Sequence, residues 1–226
     1  IKINFAEVND YGDISMEEIS QAIELASDGV EHEDEKRILR SIVEFANIDG
    51  FRVDTFPYNN PKPMVEWVKS IRNEYPNFNI VGEGWMHNTI HLSYWQENSP
   101  IADIQGFNSF LPSVMDFTLN DALVKSFIER NSNWEGGMTR IYKNLQNDFL
   151  YPNVNNLLIF AENHDTNRIN DFYPEIKDYK RMMSVLMTLR GIPQIYYGSE
   201  IGMTGKKENG DGDISCLLYT SDAADE

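Results

Sequence analysis

Gly50-Phe51-Arg52-Val53-Asp54 is the stretch that decides the fold. It is a short apolar run closed by a carboxylate, preceded by residues 36–45, where Ile38, Leu39, Ile42, Val43 and Phe45 recur at helical spacing until Asp49-Gly50 stops them. Outward from it the unit repeats. A helix predicted over Met64–Tyr75, with Val65, Val68 and Ile71 on one face, leads through Pro76 to a second strand, Phe78-Asn79-Ile80-Val81-Gly82-Glu83. A third strand is predicted at Ile104-Gln105-Gly106-Phe107, followed by helices over Leu119–Glu129 and Thr139–Phe149. A fourth, Asn156-Leu157-Leu158-Ile159-Phe160, is apolar enough to be buried on both faces and runs on to Asn163-His164-Asp165. A Met-rich helix, Tyr179–Leu189, precedes a fifth, Ile192–Tyr197. Strands alternating with helices make an α/β fold with a parallel sheet. The spacing from Asp54 to Glu83 is close to the roughly 31 residues per unit that follow when about 250 residues make a (β/α)8 barrel.

Polar and charged residues gather just after these strands, where parallel α/β folds build their active sites. Arg52 and Asp54 are two apart on a strand and so point to one side of the sheet, where a guanidinium favours the ionised carboxylate that a nucleophile must be. A buried ion pair of purely structural use fits them equally well. Glu83 stands between Gly82 and Gly84 and before Trp85, so the backbone can come close and an aromatic surface can shield a carboxylic acid kept for proton donation. An ordinary solvated strand-end glutamate is the alternative. His164 and Asp165 could grip adjacent hydroxyls of a sugar, with Asn163 and Arg168 adding polar reach, or could simply cap a turn.

Read together, Gly50-Phe51-Arg52-Val53-Asp54, Gly82-Glu83-Gly84-Trp85 and Phe160-Ala161-Glu162-Asn163-His164-Asp165 resemble three signature regions of the α-amylase family, in the family's order. Gly191-Ile192-Pro193-Gln194-Ile195-Tyr196-Tyr197-Gly198-Ser199-Glu200 resembles its eighth barrel strand. Asp54-Thr55-Phe56-Pro57-Tyr58, Tyr75–Glu83 and Asp148-Phe149-Leu150-Tyr151-Pro152 resemble the bacterial neopullulanase and cyclomaltodextrinase branch. The resemblance covers roughly Ile38 to Ile214. It implies an incomplete TIM (β/α)8 barrel, strands four to eight with their helices, and retaining hydrolysis of α-glucosidic bonds in starch-derived oligosaccharides by the parent enzyme. It implies Asp54 as nucleophile, Glu83 as general acid/base and Asp165 as transition-state stabiliser. Arg52, His164, Trp85, Tyr58, Asn163 and Arg168 are expected to bind substrate, with Phe56, Trp95 and Tyr197 as weaker stacking candidates. A transglycosylase of the same family would use the same residues, and a non-catalytic amylase-like subunit would lack the carboxylates kept here.

The resemblance requires no cofactor. Calcium is compatible with the intact parent, but its ligands are not identifiable in this chain, and the acidic run Glu31-His32-Glu33-Asp34-Glu35 reads as a solvated patch, not a metal site. Asp211-Gly212-Asp213 reads as a turn. Residues 1–35 form an acidic segment with no place in the barrel pattern, residues 36–215 the C-terminal half of the barrel, and residues 216–226, from Cys216, resemble adaptor read-through and are set aside from the fold. A beginning at Ile1 in place of a methionine leaves localisation open, periplasmic or secreted by family resemblance. The fragment alone is expected to be inactive, with open strand edges.

Composition agrees with a globular enzyme of neutral substrates. In 226 residues, 41% are hydrophobic and 24% charged, and 36 acidic against 19 basic residues give a net charge of -17. A field of that sign repels nucleic acid and anionic membrane surfaces. No apolar stretch approaches the roughly 18 residues of a membrane span. The expected partner is an α-glucan oligosaccharide; the oligomeric state has no signature in the sequence.

Overall fold

The computed structural model describes residues 3–4, 43–45, 47–129, 133–173 and 175–206. The acidic run at 31–35, the predicted turn at 211–213 and the closing run from Cys216 lie outside the described residues, as does most of the helix predicted over 36–45. Five short parallel strands follow one another in chain order. They are β2 (Gly50–Val53), β3 (Asn79–Gly82), β4 (Ser113–Val114), β5 (Leu158–Phe160) and β6 (Ile192–Gln194). β2, β3 and β4 pair in parallel, as do β5 and β6, and a parallel bridge from Met115 to Leu158 joins the two groups. Strand β1 (Ile3–Asn4) lies antiparallel on the far side of β2, with Asn4 opposite Arg52. Sequential parallel strands with intervening helices are the wall of a TIM barrel in part.

Helix α1 (Pro61–Glu74) shows how the connections arise. Asn60 accepts the Lys62 N–H at 3.2 Å and Pro61 opens the first turn. Met64, Trp67, Val68 and Ile71 then recur on one face and are all buried. They meet the outward face of the sheet, where the Phe51 ring lies 6.0 Å from Trp67 and 4.7 Å from Phe78. Short helices α2 (Thr89–Ser93) and α3 (Pro100–Asp103) link β3 to β4, and α4 (Phe117–Ile128) with α5 (Thr139–Leu145) links β4 to β5. Helix α6 (Ile176–Leu186) buries Tyr179, Met182 and Leu186 before β6.

The strand alternation sorts side chains into two clusters. Phe51, Val53, Ile80, Val114 and Ile159 belong to the large core under the helices, whereas Val81, Met115, Phe117 and Phe160 form a smaller one on the other face. Arg52 is in register with Val81, so it shares the second, inward face. That face carries the carboxylates.

The predicted third strand is a correction. Residues 104–107 are a turn: the Gly106 N–H bonds to the Asp103 carbonyl at 2.9 Å, Gly106 has φ 66° and Ile104 is 82% exposed. The strand lies instead at Ser113–Val114, where Ser113 pairs with Val81. Helix α6 begins at Ile176 and ends at Leu186, earlier than the methionine pattern suggests, and β6 ends at Gln194, before the two tyrosines. β5 starts at Leu158 because Asn156 is used otherwise, donating through Nδ2 to Asn79 Oδ1 and the Pro112 carbonyl, both at 3.2 Å.

Two charged ties fasten the connections. Arg190 donates to Asp148 at 2.6 Å and to Asp116 at 2.8 Å, and Asp116, wholly buried, also caps α4 through the Leu119 N–H at 2.9 Å. Burial opposes the Arg190 charge, but the hydrogen bond to Asp148 and the charges of Asp116 and Asp148 outweigh it, and its pKa rises. Arg140 meets Glu129 across the loop between α4 and α5 through a bidentate contact. With the Gly137 N–H it brings the Glu129 carboxyl down to about 2.

Candidate active site

β2 and β3 run side by side in register, Val53 opposite Gly82, so the next residues, Asp54 and Glu83, leave adjacent strand ends together. The ladder continues past them: the Glu83 N–H bonds to the Val53 carbonyl at 2.8 Å and the Phe56 N–H to the Glu83 carbonyl at 3.0 Å. This close seam needs Gly82. A Cβ there would lie 2.5 Å from Leu111 and 3.1 Å from Phe56.

One guanidinium serves both carboxylates. Arg52 Nη1 lies 2.6 Å from Asp54 Oδ1 and Nη2 lies 3.1 Å from Glu83 Oε1. Glu83 is 4% exposed and accepts the Thr55 N–H through its other oxygen at 2.8 Å. Thr55 achieves this in the left-handed region, φ 50°, which a β-branched residue rarely adopts. Strain of this kind costs on the order of 1–3 kcal/mol and gathers where surrounding structure demands it, active sites foremost. Asp54 remains open to the exterior, its side chain 27% exposed. The pair is therefore one buried and one accessible carboxylate on a common cation.

Trp85 stands two residues past Glu83. Its ring stacks on Phe117 at 5.2 Å and 18°, and Phe117 meets Phe160 edge-on at 5.0 Å. Trp85 is 38% exposed, an aromatic face backed by Phe117. Tyr58, on the 3-10 turn Phe56–Tyr58, donates its hydroxyl to the Trp85 carbonyl at 3.3 Å and is well exposed. Phe56 is buried and packs edge-on against Trp95, so neither is a stacking surface in the way Trp85 is.

His164 and Asp165 sit in the turn after β5, on the same C-terminal side of the sheet. His164 Nε2 lies 3.1 Å from Asp165 Oδ2 and both side chains are accessible. Asn163 and Arg168, expected to bind substrate, are both buried, at 1% and 0% exposure. Asn163 Oδ1 accepts the Asp165 N–H at 2.9 Å. Arg168 donates to Glu162 at 3.1 Å and to the Tyr197 carbonyl at 2.7 Å, with its guanidinium 4.0 Å from the Tyr196 ring centre. They hold the loop. The sequence reading overlooked Glu162 and Ser199, whose hydroxyl donates to Glu162 Oε1 at 2.5 Å. An acid directly preceding Asn163-His164-Asp165 with an arginine shortly after was the available signal.

Among the described residues no three His, Cys, Asp or Glu side chains come together as a metal site. No helix of the described residues is long and apolar enough to cross a membrane.

The family described as "Alpha amylase, catalytic domain" matches residues 21–224. Alpha-amylase 3 of Dictyoglomus thermophilum is 28% identical over 184 residues, which are 77% of this chain and 33% of that protein. A cyclomaltodextrin glucanotransferase of Geobacillus stearothermophilus is 30% identical over 165 residues, 73% of this chain and 21% of the relative. The chain thus spans a third or less of these relatives. Among solved structures, an alpha-amylase of Geobacillus thermoleovorans complexed with acarbose superposes with a TM-score of 0.65 at 21% identity, covering 94% of this chain and 46% of that one. That likeness speaks for the fold alone. With strands in barrel order, carboxylates at their C-terminal ends and a family match over most of its length, the chain belongs to the alpha-amylase family and carries part of its catalytic domain.

Proposed function

We propose that the whole protein hydrolyses α-glucosidic bonds in starch-derived oligosaccharides, the class that includes maltooligosaccharides, cyclodextrins and pullulan, with retention of configuration. The observation that carries this reading is the pair of carboxylates on adjacent strand ends sharing Arg52, one accessible and one buried. Asp54, aimed by the guanidinium, attacks the anomeric carbon. Glu83 protonates the departing oxygen, and a covalent glycosyl-enzyme forms on Asp54. Glu83 then takes a proton from water, which releases the sugar. Asp165, with His164, binds sugar hydroxyls more tightly as the ring flattens, and Trp85 and Tyr58 offer apolar surface to it. The part of the barrel described here leaves β6 paired on one side only, and the chain by itself is proposed to be inactive.

Transfer to a sugar acceptor in place of water is a second reading, favoured by relatives named cyclomaltodextrin glucanotransferase. One experiment addresses both. The full-length protein is incubated with maltotriose or a cyclodextrin and its products are followed by NMR. The α-anomer is expected first, and sugars longer than the substrate reveal transfer. Initial release of the β-anomer would sink the retaining mechanism.

A further inference from the structure

The loop bearing His164 and Asp165 is closed at its base by two buried opposite charges, Glu162 and Arg168, with side chains 4% and 0% exposed. Glu162 divides its two oxygens. Oε1 takes Arg168 Nη1 at 3.1 Å and the Ser199 hydroxyl at 2.5 Å, while Oε2 takes the Ile169 N–H at 2.5 Å. Arg168 reaches the other way, to the Tyr197 carbonyl at 2.7 Å and Met203 Sδ at 3.5 Å, and its own N–H bonds to the Gly205 carbonyl at 2.9 Å. The segment after β6 thus wraps the guanidinium. It can do so because Gly198 has φ 83°, where a Cβ would stand 2.7 Å from Met203 Sδ. Tyr179 of α6 completes the enclosure, donating to the Ser199 carbonyl at 2.7 Å, and burial, with the Glu162 charge near it, keeps this hydroxyl protonated by raising its pKa.

Inside the closed loop little freedom remains. The Asp165 N–H is held by Asn163 Oδ1 at 2.9 Å, and the Asn163 N–H by Thr166 Oγ1 at 2.9 Å. The loop that carries Asp165 is therefore tied to the segment after β6 through Glu162 and Arg168. A buried ion pair adds little stability over apolar residues of similar volume, so its use is better sought in what it specifies.

We infer that Glu162 and Arg168 are a positioning pair, setting the carboxylate of Asp165 for the transition state by locking its loop to the segment after β6. The inference rests on the proposed role of Asp165. It assigns no contact with substrate to either residue. Misplacement of a reacting group by about 1 Å costs about 10²-fold in rate.

The test uses the full-length protein, steady-state kinetics on maltotriose, and three changes: Arg168→Lys, the paired Glu162→Gln/Arg168→Met, which removes both charges together, and Asp165→Asn. Arg168→Lys keeps the charge and loses the fork, and is expected to lower kcat about 10²-fold, with KM within about twofold and the melting temperature near the parent's. In the Asp165→Asn background the same change is expected to cost less than about twofold further, since it acts only through Asp165. Full multiplicative loss in that background would overturn the inference. So would variants that unfold, the paired one included, or that keep the parent kcat per folded molecule. If Asp165→Asn alone retains the parent kcat, the reading of Asp165 fails first and the positioning role falls with it, an outcome distinct from an inert Arg168→Lys beside an inactive Asp165→Asn.

Discussion

Glu83→Gln in the full-length protein is expected to lower kcat on an unactivated maltooligosaccharide by about 10²- to 10⁴-fold, the usual contribution of a positioned proton donor. The amide is nearly isosteric and still offers an oxygen to the Thr55 N–H, while Arg52 keeps Asp54 as partner, so the fold should survive. An aryl glycoside whose leaving group departs without protonation should lose much less in the first step. That split between substrates separates a missing proton from a damaged site. Loss of equal size on both substrates would point to damage, and activity within about tenfold of the parent on maltotriose would remove Glu83 from the role of acid.

Arg190→Met should be the most damaging change far from the chemistry. Asp116 is wholly buried, and although it also takes the Leu119 N–H and the Thr118 hydroxyl, its only cationic partner among the described residues is Arg190. Removing one member of a buried pair leaves an uncompensated charge and costs about 3–5 kcal/mol. Urea unfolding of the full-length protein reports it, and the double change Asp116→Asn/Arg190→Met should recover a large part of the loss. Equal loss in the single and the double variant would contradict the account of this tie.

The site was more legible in the sequence than its support. Arg52, Asp54 and Glu83 can be placed from local rules alone, because side chains alternate along a strand and a carboxylate closing an apolar run stands at a strand end. The family resemblance then gives those positions their roles. Ile104–Phe107 misled because a brief apolar run is compatible with a turn as well as a strand, whereas the strand at Ser113–Val114 hides behind Pro112 and a small hydroxyl residue. Burial of Asn163 and Arg168 was not readable nearby, since residues 196–205, distant in sequence, cover Arg168. Trp85 stands two residues after Glu83, and its ring stacks on Phe117, a partner that only the fold supplies.

The most direct measurement is capture of the covalent intermediate. Full-length protein carrying Glu83→Gln, given an aryl maltoside, should form the glycosyl-enzyme faster than it can release it, because the base for the second step is gone. Mass spectrometry of the digested protein is predicted to find one added glycosyl group on the peptide containing Asp54, and none when Asp54→Asn is added. A glycosyl group on any other residue, or its persistence without Asp54, would contradict the account.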